Sequence, residues 1–295
     1  NALSESLIWE VNRLHSQGAG LSKMSVMSGT YGVADPSIAL GSDSSGLAWL
    51  DKLQSGNFSM YVYDANSGAY LSNASGPLDF DTATPGIQNF DPATHSLNDV
   101  RDALNNTFGT YVTAEIVDNK LVVRSNSGYK FGVGADSAGL LAGLGLNTYF
   151  QGSDASTIAV RPDVRSDTNF INAGKVNGGS EANAGDNDTA KAIAGLATKE
   201  VTIATTFERA SSQTLSEYYS AIVATVGADT ASTKFNAAYT ATLAKDLDER
   251  QSSSAGVNLD EEMASLVKFQ HAYKAAAKLV TTADQMMQTL LGLKQ

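Results

Sequence analysis

The residues of this sequence whose types could do chemistry are few: three histidines, two pairs of closely spaced aspartates and two glycine doublets. His15, His95 and His271 lie in three separate segments, without a second histidine at the helical spacing of a zinc motif, so each reads as an ordinary surface or boundary residue. Gly132-Val133-Gly134 and Gly143-Leu144-Gly145 begin like phosphate-binding loops. Neither completes G-x-G-x-x-G and neither is followed by a P-loop lysine, so both read as turn or bulge glycines. Asp186 and Asp188 open like a calcium loop but lack its third ligand, central glycine and terminal glutamate, which leaves a helix cap as the reading. Asp79 and Asp81 are close enough for a carboxylate pair, yet neighbouring loop acids are usually just solvated. There is no G-x-S-x-G elbow, and the absence of cysteine excludes disulfides, thiolate metal sites and cysteine nucleophiles. No catalytic, cofactor-binding or metal-ligating residue is assigned, and no enzyme is expected.

The elements that would position any site fall into three textures. Leu3, Leu7, Trp9, Val11 and Leu14 recur at roughly helical spacing before Gly18 and Gly20, predicting a helix over 3–16. From about Gly29 to Gly185, glycine, serine, asparagine and aspartate punctuate short apolar runs, the pattern of strands joined by turns. Asn57–Tyr63 and Tyr111–Val117 read as strands, and the second turns through Asp118-Asn119 into Leu121–Arg124. Ser96 is placed to cap a helix that buries Val100, Ala103 and Leu104.

After Asp188 glycine thins out and the pattern becomes helical. Residues 215–250 read as a long helix with Tyr218, Ile222 and Val226 in one stripe, Phe235, Tyr239, Leu243 and Leu247 in another, and an interruption expected at Gly227. A loop over Ser252–Val257 follows, and Asn258 with Glu261 supplies a capping box that starts the last helix near Leu259. In that helix Leu266, Phe269, Tyr273, Ala276, Val280, Ala283, Met287 and Leu290 alternate steps of three and four, which is a heptad seam. A narrow seam cannot bury itself, so it needs another helix. That partner is either residues 215–250 of the same chain or a different chain.

The 295 residues suffice for two ordinary domains, and 42% hydrophobic content allows real cores. A formal charge of −11 argues against nucleic acid and against anionic lipid as partners. No segment has the roughly 20 uninterrupted apolar residues of a bilayer span, and the first residues do not form a cleavable signal. The chain opens Asn1-Ala2-Leu3 without methionine, directly in a helical pattern, and reads as part of a longer polypeptide.

Val257-Asn258-Leu259-Asp260-Glu261-Glu262 and Leu266-Val267-Lys268-Phe269-Gln270-His271-Ala272-Tyr273 together resemble the carboxyl-terminal signature of flagellar axial proteins. The run through Ala276, Thr281-Thr282-Ala283 and Leu290-Leu291-Gly292-Leu293 is similar to the same family of rod, hook and hook-associated proteins. Trp9–Gly18, Gly143–Phe150 and Gly185–Asp188 narrow the resemblance to the hook-associated proteins of the first type. The likeness thins across 29–95, and that family's amino-terminal helical region is not represented.

The resemblance implies a structural subunit exported unfolded by the flagellar type III apparatus, with an export chaperone before secretion. It implies assembly outside the cell between hook protein and neighbouring hook-associated proteins, and self-association in the axial tube. The terminal segments of such proteins pack as coiled coil once assembled, so the candidate interface is Leu259, Leu266, Phe269, Tyr273, Ala276, Val280, Ala283, Met287 and Leu290. The expected class is α+β: a helical segment over 1–28, β-rich inserted material over 29–185, a long-helix part over 186–258 and the terminal heptad helix over 259–295. Alternatives are another axial component, hook or distal rod, and a secreted carbohydrate-acting or adhesive protein built on the β-rich middle. The last needs a concave site with converging acids or aromatics.

Overall fold

Helix formation begins at the second residue, because leucine, isoleucine and tryptophan fall where one face of a helix can meet a core. In a computed structural model describing residues 1–176, 185–203 and 211–293, α1 spans Ala2–His15. Its buried face is Ile8, Trp9, Val11, Asn12 and His15, rotated from the leucine stripe read in the sequence. The remaining elements follow in chain order: β1 Val26–Ser28, β2 Ser59–Asp64, β3 Gly76–Pro77, α2 Leu97–Phe108, β4 Val112–Val117, β5 Lys120–Ser125, β6 Tyr129–Gly134 and α3 Leu140–Gly143. Then come β7 Phe150–Gln151, β8 Ala159–Val160, α4 Pro162–Ser166, α5 Asp188–Gly195, β9 Glu200–Ile203, β10 Ser211–Thr214, α6 Leu215–Ala255 and α7 Leu259–Gly292. This is the α+β mixture expected, with long helices beside small antiparallel sheets.

The chain divides into two units, Asn1–Ile222 and Val223–Gln295. In the first, two three-stranded antiparallel sheets, ordered β1-β5-β4 and β3-β2-β6, share one core. Phe58, Met60, Phe90, Leu97, Leu104, Leu121 and Phe131 are fully buried there. Backbone bonds between Met24 and Phe131 tie the run before β1 to β6. The β4–β5 turn places Asp118 at φ 50° and Asn119 at φ 60°, the left-handed pair that a two-residue hairpin of right-handed twist requires. Ser96 starts α2 with both halves of a capping box, its hydroxyl accepting from the Asp99 N–H while the Asp99 carboxylate accepts from Ser96 N.

At the edge of this core, Trp9 and Trp49 lie 5.7 Å apart with Tyr31 set edge-on to Trp49, which fixes α1 against the loops after β1. Gly132 and Gly134 are residues of β6 itself rather than of a turn. A side chain at Gly134 would press on the Tyr61 ring, 3.2 Å from its ideal Cβ. Gly145 does sit in a turn, at φ +70°, where a Cβ would collide with Thr30.

Between α5 and α6 the sequence reading missed a strand pair. Val201 and Ile203 are buried while Glu200 and Thr202 are exposed, the alternation of a half-buried strand, and β10 pairs with them in antiparallel register. The long helix also departs from expectation at both marks set for it. It runs through Gly227 without a break and ends at Ala255, so only residues 256–258 separate α6 from α7. One glycine in an exposed helix interior costs only about 1 kcal/mol against alanine, too little to stop a helix of 41 residues.

Candidate assembly surface

The second unit is built from what α6 and α7 leave uncovered. Asn258 caps α7 by accepting the N–H of Asp260 at 3.1 Å, one residue earlier than the capping box predicted from Glu261. Asp260, Glu261 and Glu262 fill the first turn, where carboxylates offset the exposed N–H groups and the positive end of the helix dipole. Along α6, Lys245–Glu249 and Arg250–Asp246 are exposed pairs one turn apart, worth a few tenths of a kcal/mol each by typical values of about 0.3–0.5.

Every described side chain from Val223 to Leu293 is exposed. The seam residues Leu259, Leu266, Phe269, Tyr273, Val280, Met287 and Leu290 each show 58–78% of their surface, and Ala276 and Ala283 are exposed beside them. All nine lie on the single helix α7. Within this unit neither the seam nor the Phe235, Tyr239, Leu243 and Leu247 stripe of α6 is covered, so the intramolecular hairpin considered from the sequence is not formed here. Soluble monomers rarely leave a contiguous apolar strip of this length in water.

The residues considered for chemistry serve structure instead. Asp79 Oδ1 accepts the N–H groups of Asp81 and Gln88, and Asp81 accepts from Ala83 N and Thr84 Oγ1, so the two carboxylates organise their own loop. Asp186 accepts from Asp188 N at 3.0 Å and Lys175 N at 2.8 Å, holding the entry to α5. His95 has Asp91 and Asp99 four residues to either side, a spacing the sequence reading passed over, but its Nδ1 accepts the Asp91 N–H and closes a turn. His271 is exposed on α7. Among the described residues no group of three or more histidines and carboxylates is placed to hold a metal ion.

Two functional-looking groups were missed. His15, expected at the surface or boundary, is 1% exposed, because α1 turns its Asn12 and His15 face inward. Asn12 Oδ1 accepts the N–H groups of Tyr149 and Phe150 while its Nδ2 donates to Phe150 O, a side chain standing in for a strand edge. Asp136 is also buried, accepting from Ala138, Gly139 and Leu141 N–H at the start of α3, and burial pushes its carboxyl up to about 6 against those bonds. A histidine at i+3 from a buried asparagine on an otherwise apolar helix face was the available signal for the first. Nothing in the sequence around Asp136 distinguishes it from a loop acid.

A cleft of about 620 Å³ in the first unit lies beside α1 and brings Trp9 and Trp49 near Glu5, Asp51 and Asp154. Its two indoles are 8% and 5% exposed, too buried to offer the open ring face on which a sugar stacks. The glycan-acting alternative therefore lacks its platform there.

Comparison with known proteins gives partial matches, one of which reaches this helix. A family profile described as "Flagellar basal body rod FlgEFG protein C-terminal" matches residues 251–293, the region of α7. Flagellar hook-associated protein 1 of Escherichia coli K12 is 29% identical over 181 residues, 59% of this chain and 32% of that protein. The chain is similar to flagellar hook-associated protein 1 over part of its length. Flagellar hook-associated protein 1 of Bacillus subtilis 168 is 31% identical over 109 residues, 37% of this chain and 20% of that protein. The Salmonella typhimurium LT2 protein of the same name is 34% identical over 82 residues, 28% of this chain and 15% of its own length. The matched stretches thus span a third or less of these hook-associated proteins.

Proposed function

We propose that the chain is a structural, non-catalytic subunit of the bacterial flagellum at the hook–filament junction, and that α7 is its assembly element. The observation that carries this is the exposed seam on a helix whose region matches the flagellar rod-protein profile. Burying a large apolar side chain is worth roughly 1.5–3 kcal/mol, so closing the seven large seam residues against another helix supplies on the order of 10 kcal/mol before ordering costs. That is enough to hold a subunit in a polymer, and the second unit by itself does not realise it.

On this reading the subunit travels through the type III export apparatus unfolded, accompanied first by an export chaperone, and then joins hook protein, neighbouring hook-associated proteins and copies of itself outside the cell. No helix among the described residues is long and apolar enough to cross a membrane, and the charge of −11 does not suit nucleic acid. The β-rich first unit carries its own core and keeps the subunit folded while α6 and α7 polymerise.

The test is Leu266→Asp and Leu290→Asp, each placing a charge in the seam. Both variants should be secreted with the first unit folded by circular dichroism, yet fail to incorporate, and the cells should be non-motile. Wild-type motility in both would remove α7 from the account.

A further inference from the structure

His15 sits where three stretches of the first unit meet. Its Nδ1 lies 2.9 Å from the Asn147 carbonyl, which can only accept, so this nitrogen carries the proton. Nε2 is then bare, and it accepts the Asn172 backbone N–H at 3.0 Å. Asn172 returns a bond from Nδ2 to the His15 carbonyl at 2.8 Å, and Asn147 Nδ2 donates to Ser16 O at 2.9 Å. Just beyond, Ala19 and Gly174 exchange backbone bonds, Thr189 Oγ1 donates to Gly174 O and Ala190 N to Ala173 O. Residues 172–174 are therefore a strap between the end of α1 and the start of α5.

We propose that His15 is an acid-released pin: a proton on Nε2 removes the acceptor for the Asn172 N–H, and the strap with α5 lets go of α1 while the two sheets stay folded. A protonated ring would aim one N–H at another, at a side chain that is only 1% exposed. The groups facing the ring are few. Tyr149 packs its ring 5.4 Å away, Arg161 opposes the added charge, and Asp163, itself bound to Arg161, favours it. On the helix itself Arg13 is turned to Glu10. The strap and α5 present Asn172 and Thr189, both uncharged. Burial, the largest influence, holds the ring down to about 4, so the pin stays closed at neutral pH and opens in acid.

Amide exchange followed by NMR on the ¹⁵N-labelled chain from pH 7 to 3.5, corrected for intrinsic rates, tests this. Protection of the Asn172 and Gly174 amides should fall about tenfold per pH unit once the ring titrates, with Val62 and Phe131 in the β2–β6 pair unchanged. His15→Gln, whose side-chain oxygen can accept the same N–H without titrating, should keep the strap protected throughout. Strap protection unchanged to pH 3.5, loss shared equally by the sheets, or the same acid opening in the glutamine variant would each overturn the proposal. Should that variant fold poorly, the wild-type ring shifts decide: a His15 titration midpoint of 6 or above contradicts the pin.

Discussion

At the scale of single residues, the buried ionisable groups give the first unit an unusual dependence on acidity. The His15 pKa is lowered from 6.5 to about 4 by burial, so the folded state binds its proton less readily than the unfolded chain. Its contribution to stability is complete above the unfolded value and disappears as pH falls through the folded one. Asp136, raised to about 6 by burial, has the opposite sign: the folded state holds that proton more tightly, and stability declines as pH rises from about 4 through 6. Each shift corresponds to on the order of 3 kcal/mol, so the two largely cancel between pH 4 and 6.5. Denaturant melts of the first unit should therefore be nearly flat across that window in the wild type. In His15→Gln the Asp136 effect stands alone, and stability should rise as the solution is acidified from 6 to 4.

At the scale of elements, the two capped helices differ in what their caps support. Ser96→Ala removes both bonds of the Ser96 hydroxyl, to the Asp99 N–H and carboxylate, on a helix packed over β4, and should cost the first unit about 1–2 kcal/mol, read as a lowered melting temperature. Asn258→Ala frees one N–H at the start of α7, and should lower helicity of the second unit by circular dichroism while leaving the first unit's melt unchanged. Patterns of this local kind are also what the sequence made legible. Ser96 to Asp99, the Asp118-Asn119 turn and the three-four steps of α7 are set by neighbours in the chain, and their elements appear where expected. The inward face of α1 depended on Asn147, Phe150 and Asn172, more than a hundred residues away, so the leucine stripe misled. The β9–β10 pair was hidden for a similar reason, since four-residue strands carry too little alternation to stand out beside helical sequence.

At the scale of the whole molecule, the two units solve different problems. The first buries its aromatic and aliphatic residues within itself, through two small sheets, a capped helix and side-chain amides that replace missing strand neighbours. The second keeps its largest apolar residues in water, and the candidate site is legible in the sequence for that reason alone: a seam left uncovered within its own unit is still a periodic pattern. What periodicity cannot carry is the identity of the partner helix, because nothing local to α7 selects it.

Whether α7 joins the subunit to the flagellum is read from deletion of residues 259–295 from the gene in a motile cell, scored for filaments and for filament protein in the medium. The account predicts hooks without filaments and release of unassembled filament subunits, with the truncated protein still secreted. Filaments of normal number and length would contradict it.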